Sequence, residues 1–156
     1  MLRMEAPDFC HEIEIDVPLA NVHACLCDLE RLAPLHPLIE SIEGLPASDS
    51  MPRARRYRVI DRIPFGPFRL RTVYTAALDP VTDREVRGHA WQSPGITLHS
   101  IYTLEATEQG TRLIERVMIE APWILRRFVV AQARHAHEET LAKLKALLEE
   151  GEPLST

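Results

Sequence analysis

The stretch from Pro122 to about Glu150 constrains this chain more than any other. It reads as one long helix with a single apolar stripe: Val130, Ala133, Leu141, Leu144, Leu147 and Leu148 recur at helical spacing. A stripe like this must be buried against another element. Pro122 suits a first helical turn, and Gly151 with Pro153 beyond it suits the end. Glu139 and Lys143 form an i,i+4 pair in the favourable order, worth about 0.3–0.5 kcal/mol on a surface. The first third, Trp123 to Ala131, is apolar nearly all round, interrupted only by Arg126 and Arg127. Such a segment is either covered on both sides or borders an apolar opening. Glu152 to Thr156 reads as a frayed tail.

What precedes the helix is mostly strand. Phe9, His11, Ile13, Ile15 and Val17 alternate with Cys10, Glu12, Glu14 and Asp16, the pattern of a half-buried strand. His11 falls on its inner side, as a hydrogen-bonded core histidine or as a ligand or base. Pro18 stops the strand, and Val22, Cys25, Leu26, Leu29 and Leu32 follow at helical spacing. Pro34 and Pro37 break that helix and bracket a short second one or a tight turn. Ile39 to Gly44 resumes as a strand, and Pro46 to Pro52 is a loop.

From Arg53 to Pro122 strand follows strand. Inner-face sets are Tyr57, Val59, Asp61, Ile63; then Phe68, Leu70, Thr72, Tyr74, Ala76; then Leu98, Ser100, Tyr102, Leu104; then Leu113, Glu115, Val117, Ile119. Turns are expected at Pro64–Pro67, at Asp79-Pro80, at Ser93–Gly95 and at Glu108–Gly110. Glu85 to Trp91 is a strand whose two faces are hard to tell apart. Short turns between closely spaced strands mean an antiparallel meander. The order gives an α+β fold: a seven-stranded curved antiparallel sheet wrapped around the long C-terminal helix, with two short helices after the first strand. Residues 1–151 are expected to form one domain. Ala131, Ala133 and Ala136 are small and His137 and Thr140 are polar, so the helix leaves room, which suggests a cavity.

The net charge of -5 argues against nucleic acid as a partner. Arg53, Arg55, Arg56, Arg58, Arg69 and Arg71 cluster, as a solvated outer face or an anion site. No apolar run approaches the ~20 residues that span a bilayer, and the N-terminus lacks a signal-peptide h-region. Three cysteines, with Cys25 and Cys27 close together, make no disulfide framework, which points to the cytosol and free thiols.

The opening strand followed by DVPLANVHACLCDLERLAPLHPLI, the EQGTRLIERVMIEAP hairpin and strand, and the closing LAKLKALLEE resemble the START-like, helix-grip superfamily (SRPBCC). That group includes the birch-pollen allergen, plant hormone receptors, lipid-transfer domains and bacterial polyketide cyclase/dehydrase-like proteins. The resemblance covers nearly the whole chain and implies the fold just described. One departure is Leu35, where the family often has a tryptophan before the His-Pro pair. Since this fold carries receptors, carriers and enzymes alike, function must come from the site.

The inner faces are mainly apolar, with Tyr57, Asp61, Thr72, Tyr74, Ser100, Tyr102 and Glu115 among them. An apolar cavity with a few placed polar groups suits a small hydrophobic or amphipathic ligand such as a lipid, fatty acid or polyketide-like aromatic. Glu115 is the candidate catalytic group. A buried lone carboxylate must be paired, hydrogen-bonded or protonated, and its structural alternative is a pair with an arginine such as Arg87. By analogy with the superfamily, His36 lies near one end of the cavity, to gate or bond a ligand or to cap backbone. His89 and Trp91 share an unassigned face, and parity puts His99 outward. Trp123, Ile124, Leu125 and Phe128 fringe the cavity entrance or form a partner or homodimer surface. His23 with Cys27, and His135 with His137, look metal-like but lack the ligand count of a zinc site, so no metal and no cofactor are expected. The sequence favours a ligand-binding protein; the alternative is a polyketide cyclase, aromatase or dehydratase using a cavity carboxylate.

Overall fold

The computed structural model describes residues 6–151. β1 (Phe9–Ile15) leads through α1 (Leu19–Leu26), α2 (Leu29–Leu32) and a 3₁₀ turn at Ala33–Leu35 into β2 (Ile39–Leu45). β3 (Arg55–Phe65), β4 (Phe68–Thr82), β5 (Glu85–Gln92), β6 (Ile96–Ala106) and β7 (Thr111–Glu120) follow, and α3 (Trp123–Glu149) closes the chain. The helical stretch after β1 is divided where Asp28 accepts a hydrogen bond from the Glu30 N–H at 3.0 Å and so caps a new helix. Gly151, at a left-handed φ of 66°, ends α3 as expected.

All seven strands form one antiparallel sheet in the order β1-β7-β6-β5-β4-β3-β2. β1 and β2 are the two edges, so α1 and α2 carry the chain from one edge to the other. Thr111 donates its hydroxyl to the Val17 carbonyl at 2.8 Å and holds the end of β1 against β7. A Cβ at Gly110 would meet the Ile15 carbonyl oxygen at 2.3 Å, so this close approach admits only glycine.

β4 departs from expectation. It runs straight through Asp79-Pro80 and turns only after Thr82. Proline is tolerated there because the β4–β5 register shifts between Pro80 and Thr82, relieving the ladder of an N–H it would otherwise need.

The solid core lies under the second half of α3. Leu141, Leu144 and Leu148 pack with Ile15, Val22, Leu26, Leu104 and Leu113. A smaller cluster of Phe9, Val117 and Ile119 meets Val129, Val130 and Ala133. Space remains between α3, from Leu125 to Leu141, and strands β3 to β6.

Candidate functional site

Three strands and α3 converge on Glu115, which is fully buried. Register places His11 of β1 opposite it on one side and Tyr102 of β6 on the other. His11 Nδ1 lies 3.1 Å from Oε1, and His137 Nδ1, reaching down from α3, lies 2.7 Å from Oε2. Burial alone would raise the Glu115 pKa. The His137 charge and the hydrogen bonds from His11, His137 and Tyr102 outweigh burial and hold it below the usual carboxylate range. Burial likewise opposes a charge on His137, but the Glu115 carboxylate raises its pKa above the ordinary value. The pair is a buried carboxylate and imidazolium. Burial, then the neighbouring carboxylate, keeps the Tyr102 phenol neutral.

His36 ends the 3₁₀ turn, its ring 6.2 Å from that of His137 in an edge-on arrangement. The Leu38 N–H donates to His36 Nδ1 at 3.2 Å, so the ring proton sits on Nε2. Burial, then the cation at His137, lowers its pKa to about 3, and His36 is neutral. The Tyr74 hydroxyl donates to Asp61 Oδ1 at 3.3 Å. Burial pushes Asp61 up to about 6 against the opposing effects of Tyr74 and His137.

These groups stand where two chambers meet. An inner chamber of about 100 Å³ is bordered by Ser100, Tyr102, Glu115, Thr140 and Leu141. An outer chamber of about 260 Å³ is bordered by Asp61, Thr72, Leu70, Ile96, Phe128 and Gln132. His36, Tyr74, Ala90, Leu98 and His137 border both. At the outer end, Phe65 of the β3–β4 hairpin meets Phe128 edge-on at 5.6 Å. Apolar side chains of β4 and of the start of α3 are exposed: Phe68 69%, Leu70 43%, Trp123 85% and Ile124 72%.

The structure thus gathers His36, Asp61, Thr72, Tyr74, Ser100, Tyr102, Glu115 and Phe128 around the cavity. Others fall elsewhere. Tyr57 is buried beside Asp28 and Leu29 rather than at the cavity. On β5, Val86 and Gly88 turn inward and Arg87, His89 and Trp91 outward. Trp91 therefore borders a shallow outer depression with Arg58, Val73 and Thr75. His89 stacks on Trp91 and meets His99 at 2.8 Å between Nδ1 atoms on that same face. It nonetheless also borders the inner chamber. Arg87 is not the partner of Glu115; it pairs with Glu85 at 2.9 Å. His36 lies between the chambers rather than at one end.

Sequence reasoning missed His137 as a site residue and did not join His11 to Glu115. The first had a signal: Ala133, His137 and Leu141 recur every four residues on the buried stripe. The cysteines Cys10, Cys25 and Cys27 are free, and Cys27 Sγ lies 3.7 Å from His23 Nδ1. Among the described residues no helix is long and apolar enough to cross a membrane, and no group of three or more His, Cys, Asp or Glu could hold a metal.

Residues 7–149 match the family model described as polyketide cyclase / dehydrase and lipid transport. The chain belongs to this family. Among solved structures, TTHA0849 from Thermus thermophilus is 21% identical with a TM-score of 0.68, over 92% of this chain and 98% of that one. A START superfamily protein from Mycobacterium smegmatis is 11% identical at 0.65, over 90% and 97%. The di-domain ARO/CYC StfQ from the steffimycin biosynthetic pathway is 11% identical at 0.68, over 91% of this chain and 50% of that one. A comparison with curated proteins returns no match. At such identities the shared property is the fold, and the polyketide cyclase / lipid transport family spans both binding and turnover.

Proposed function

We propose that this protein binds and carries a small hydrophobic or amphipathic molecule in the cavity between the sheet and α3. The observation that carries this reading is the outer chamber: about 260 Å³, walled mainly by Ile63, Leu70, Ile96, Leu98 and Phe128, with few polar groups. Small-molecule sites run from about 300 to 1,000 Å³. The two chambers together sit at the lower end of that range. They suit a fused-ring aromatic or a medium-length chain rather than a two-chain lipid. The exposed apolar side chains around Phe65 and Trp123 form the entrance. The free thiols suit a reducing compartment, and we place the protein in the cytosol.

Native mass spectrometry of the purified protein, with a titration of naphthalene, tests this. Copurified apolar ligand or saturable 1:1 binding is expected. No bound species and no saturation would remove the proposal.

A cyclase, aromatase or dehydratase is favoured by one observation. Glu115 grips His137 through Nδ1, and His137 borders both chambers, so its imidazolium is positioned as a general acid toward a bound carbonyl or departing hydroxyl. Both Glu115 oxygens are taken up by His11 and His137, so Glu115 itself acts only through them. On this reading His137→Gln abolishes turnover of a linear poly-β-ketone thioester while keeping its binding. Equal turnover by the variant excludes it.

A further inference from the structure

Asp61 and Thr72 are direct partners across β3 and β4, both on the inner face and both bordering the outer chamber. Asp61 is only 6% exposed, and its single side-chain hydrogen bond among the described residues comes from Tyr74. Thr72 Oγ1 is buried and makes no hydrogen bond among the described residues. A buried hydroxyl without a partner is costly to keep in an apolar wall. Valine has nearly the same shape and would remove that cost. Both residues line one chamber, and their adjacent under-used oxygens are what a polar group on a ligand would complete.

We propose that Asp61 and Thr72 form a head-group site selecting a hydroxyl on an otherwise apolar molecule, an alcohol or a phenol. This rests on the cavity being a ligand site. A hydroxyl both donates and accepts, so it gives its proton toward the Asp61 carboxyl and accepts from the Thr72 hydroxyl. A ketone only accepts and uses Thr72 alone. A ligand carboxylate sets a second anion against Asp61.

The groups that face Asp61 sharpen the choice. Tyr74 and Thr72 on β4 are neutral, His36 at the 3₁₀ turn is neutral, and the cation of His137 on α3 is committed to Glu115. Ile39 on β2 opposes Asp61 and adds no charge. No free cation among these groups serves a ligand anion. With its pKa raised to about 6 by burial, Asp61 accepts from a hydroxyl on either side of that value, but tolerates a carboxylate only below it.

Isothermal titration with 2-naphthol, naphthalene and 2-naphthoate, at pH 7.5 and 5.0, tests the assignment. At pH 7.5 the wild type is expected to prefer 2-naphthol over naphthalene by about tenfold and to reject 2-naphthoate, which gains affinity at pH 5.0. Thr72→Val should weaken 2-naphthol by about fivefold while leaving naphthalene unchanged, and its unfolding midpoint should not fall. Asp61→Leu should abolish the preference. Equal binding of 2-naphthol and naphthalene by the wild type, or a Thr72→Val variant that binds both as before, overturns the head-group site while leaving the cavity reading intact. Failure of all three probes to bind removes both.

Discussion

His137 and Glu115 meet at 2.7 Å, a helix imidazolium on a strand carboxylate whose other oxygen is held by His11 at 3.1 Å. This contact lies where the inner chamber, toward Leu141, meets the outer chamber, toward Phe128. It ties α3 to β7 and β1 at the level where apolar packing thins out. The cavity can stay unfilled because a charged clasp, rather than side-chain bulk, holds its roof in place.

Breaking the clasp on one side leaves an unpaired buried charge. Glu115→Gln should therefore cost about 3–5 kcal/mol, read by urea unfolding at pH 6. Glu115 is held below its ordinary 4.5 and His137 above its ordinary 6.5. The pair's contribution is complete between those values. It fades as pH falls through the lowered carboxylate value, and again as pH rises through the raised imidazolium value. The difference between wild type and a Glu115→Gln/His137→Gln double variant should be largest near pH 5.5 and shrink on both sides.

His36 acts in the opposite sense. Folding holds its pKa at about 3, against 6.5 for an ordinary histidine, so the unfolded chain takes up a proton that the folded chain refuses. Stability should fall as pH drops from about 6.5 toward 3, and His36→Gln should flatten that limb in unfolding midpoints measured across the range.

Asp61, raised from 3.8 to about 6, is a carboxyl that folding prefers uncharged. Its contribution is lost as pH rises from about 4 through 6. Asp61→Asn should then stabilise the protein by roughly 2–3 kcal/mol at pH 8 and by almost nothing at pH 3.5, as read by urea unfolding.

Ala90 borders both chambers from the inner face of β5. Ala90→Leu should fill the space where they join and weaken naphthalene binding at least tenfold, without lowering the thermal midpoint by more than a few degrees. Unchanged affinity would mean that the probe sits elsewhere.

Gly110→Ala puts a methyl group into the backbone at Ile15, where no flexible side chain can yield. We expect a loss of about 2–4 kcal/mol in unfolding free energy, since the β1 edge must shift.

The order of elements and most inner faces were legible because alternation in β1, β3, β4, β6 and β7 contrasts apolar with polar side chains. β5 was not, because its inward positions include Gly88 and Ala90, too small to stand out against His89 and Trp91. The turn expected at Asp79-Pro80 failed because local punctuation yields where a bulge accommodates proline. Glu115 stood out as a carboxylate at an inward position. Its partners did not, since joining it to His11 and His137 needs the β1–β7 register and the height of α3 over the sheet. Both are long-range relations that no window of sequence contains.

The most direct test of the cavity as a ligand site is a ¹H–¹⁵N correlation titration of the labelled protein with 2-naphthol. Saturable shifts should concentrate at the inner positions of β3 to β6, among them Thr72, Ala90 and Leu98, and along α3 from Leu125 to His137. Shifts confined to the outer face around Trp91, or no saturable shifts, would contradict it.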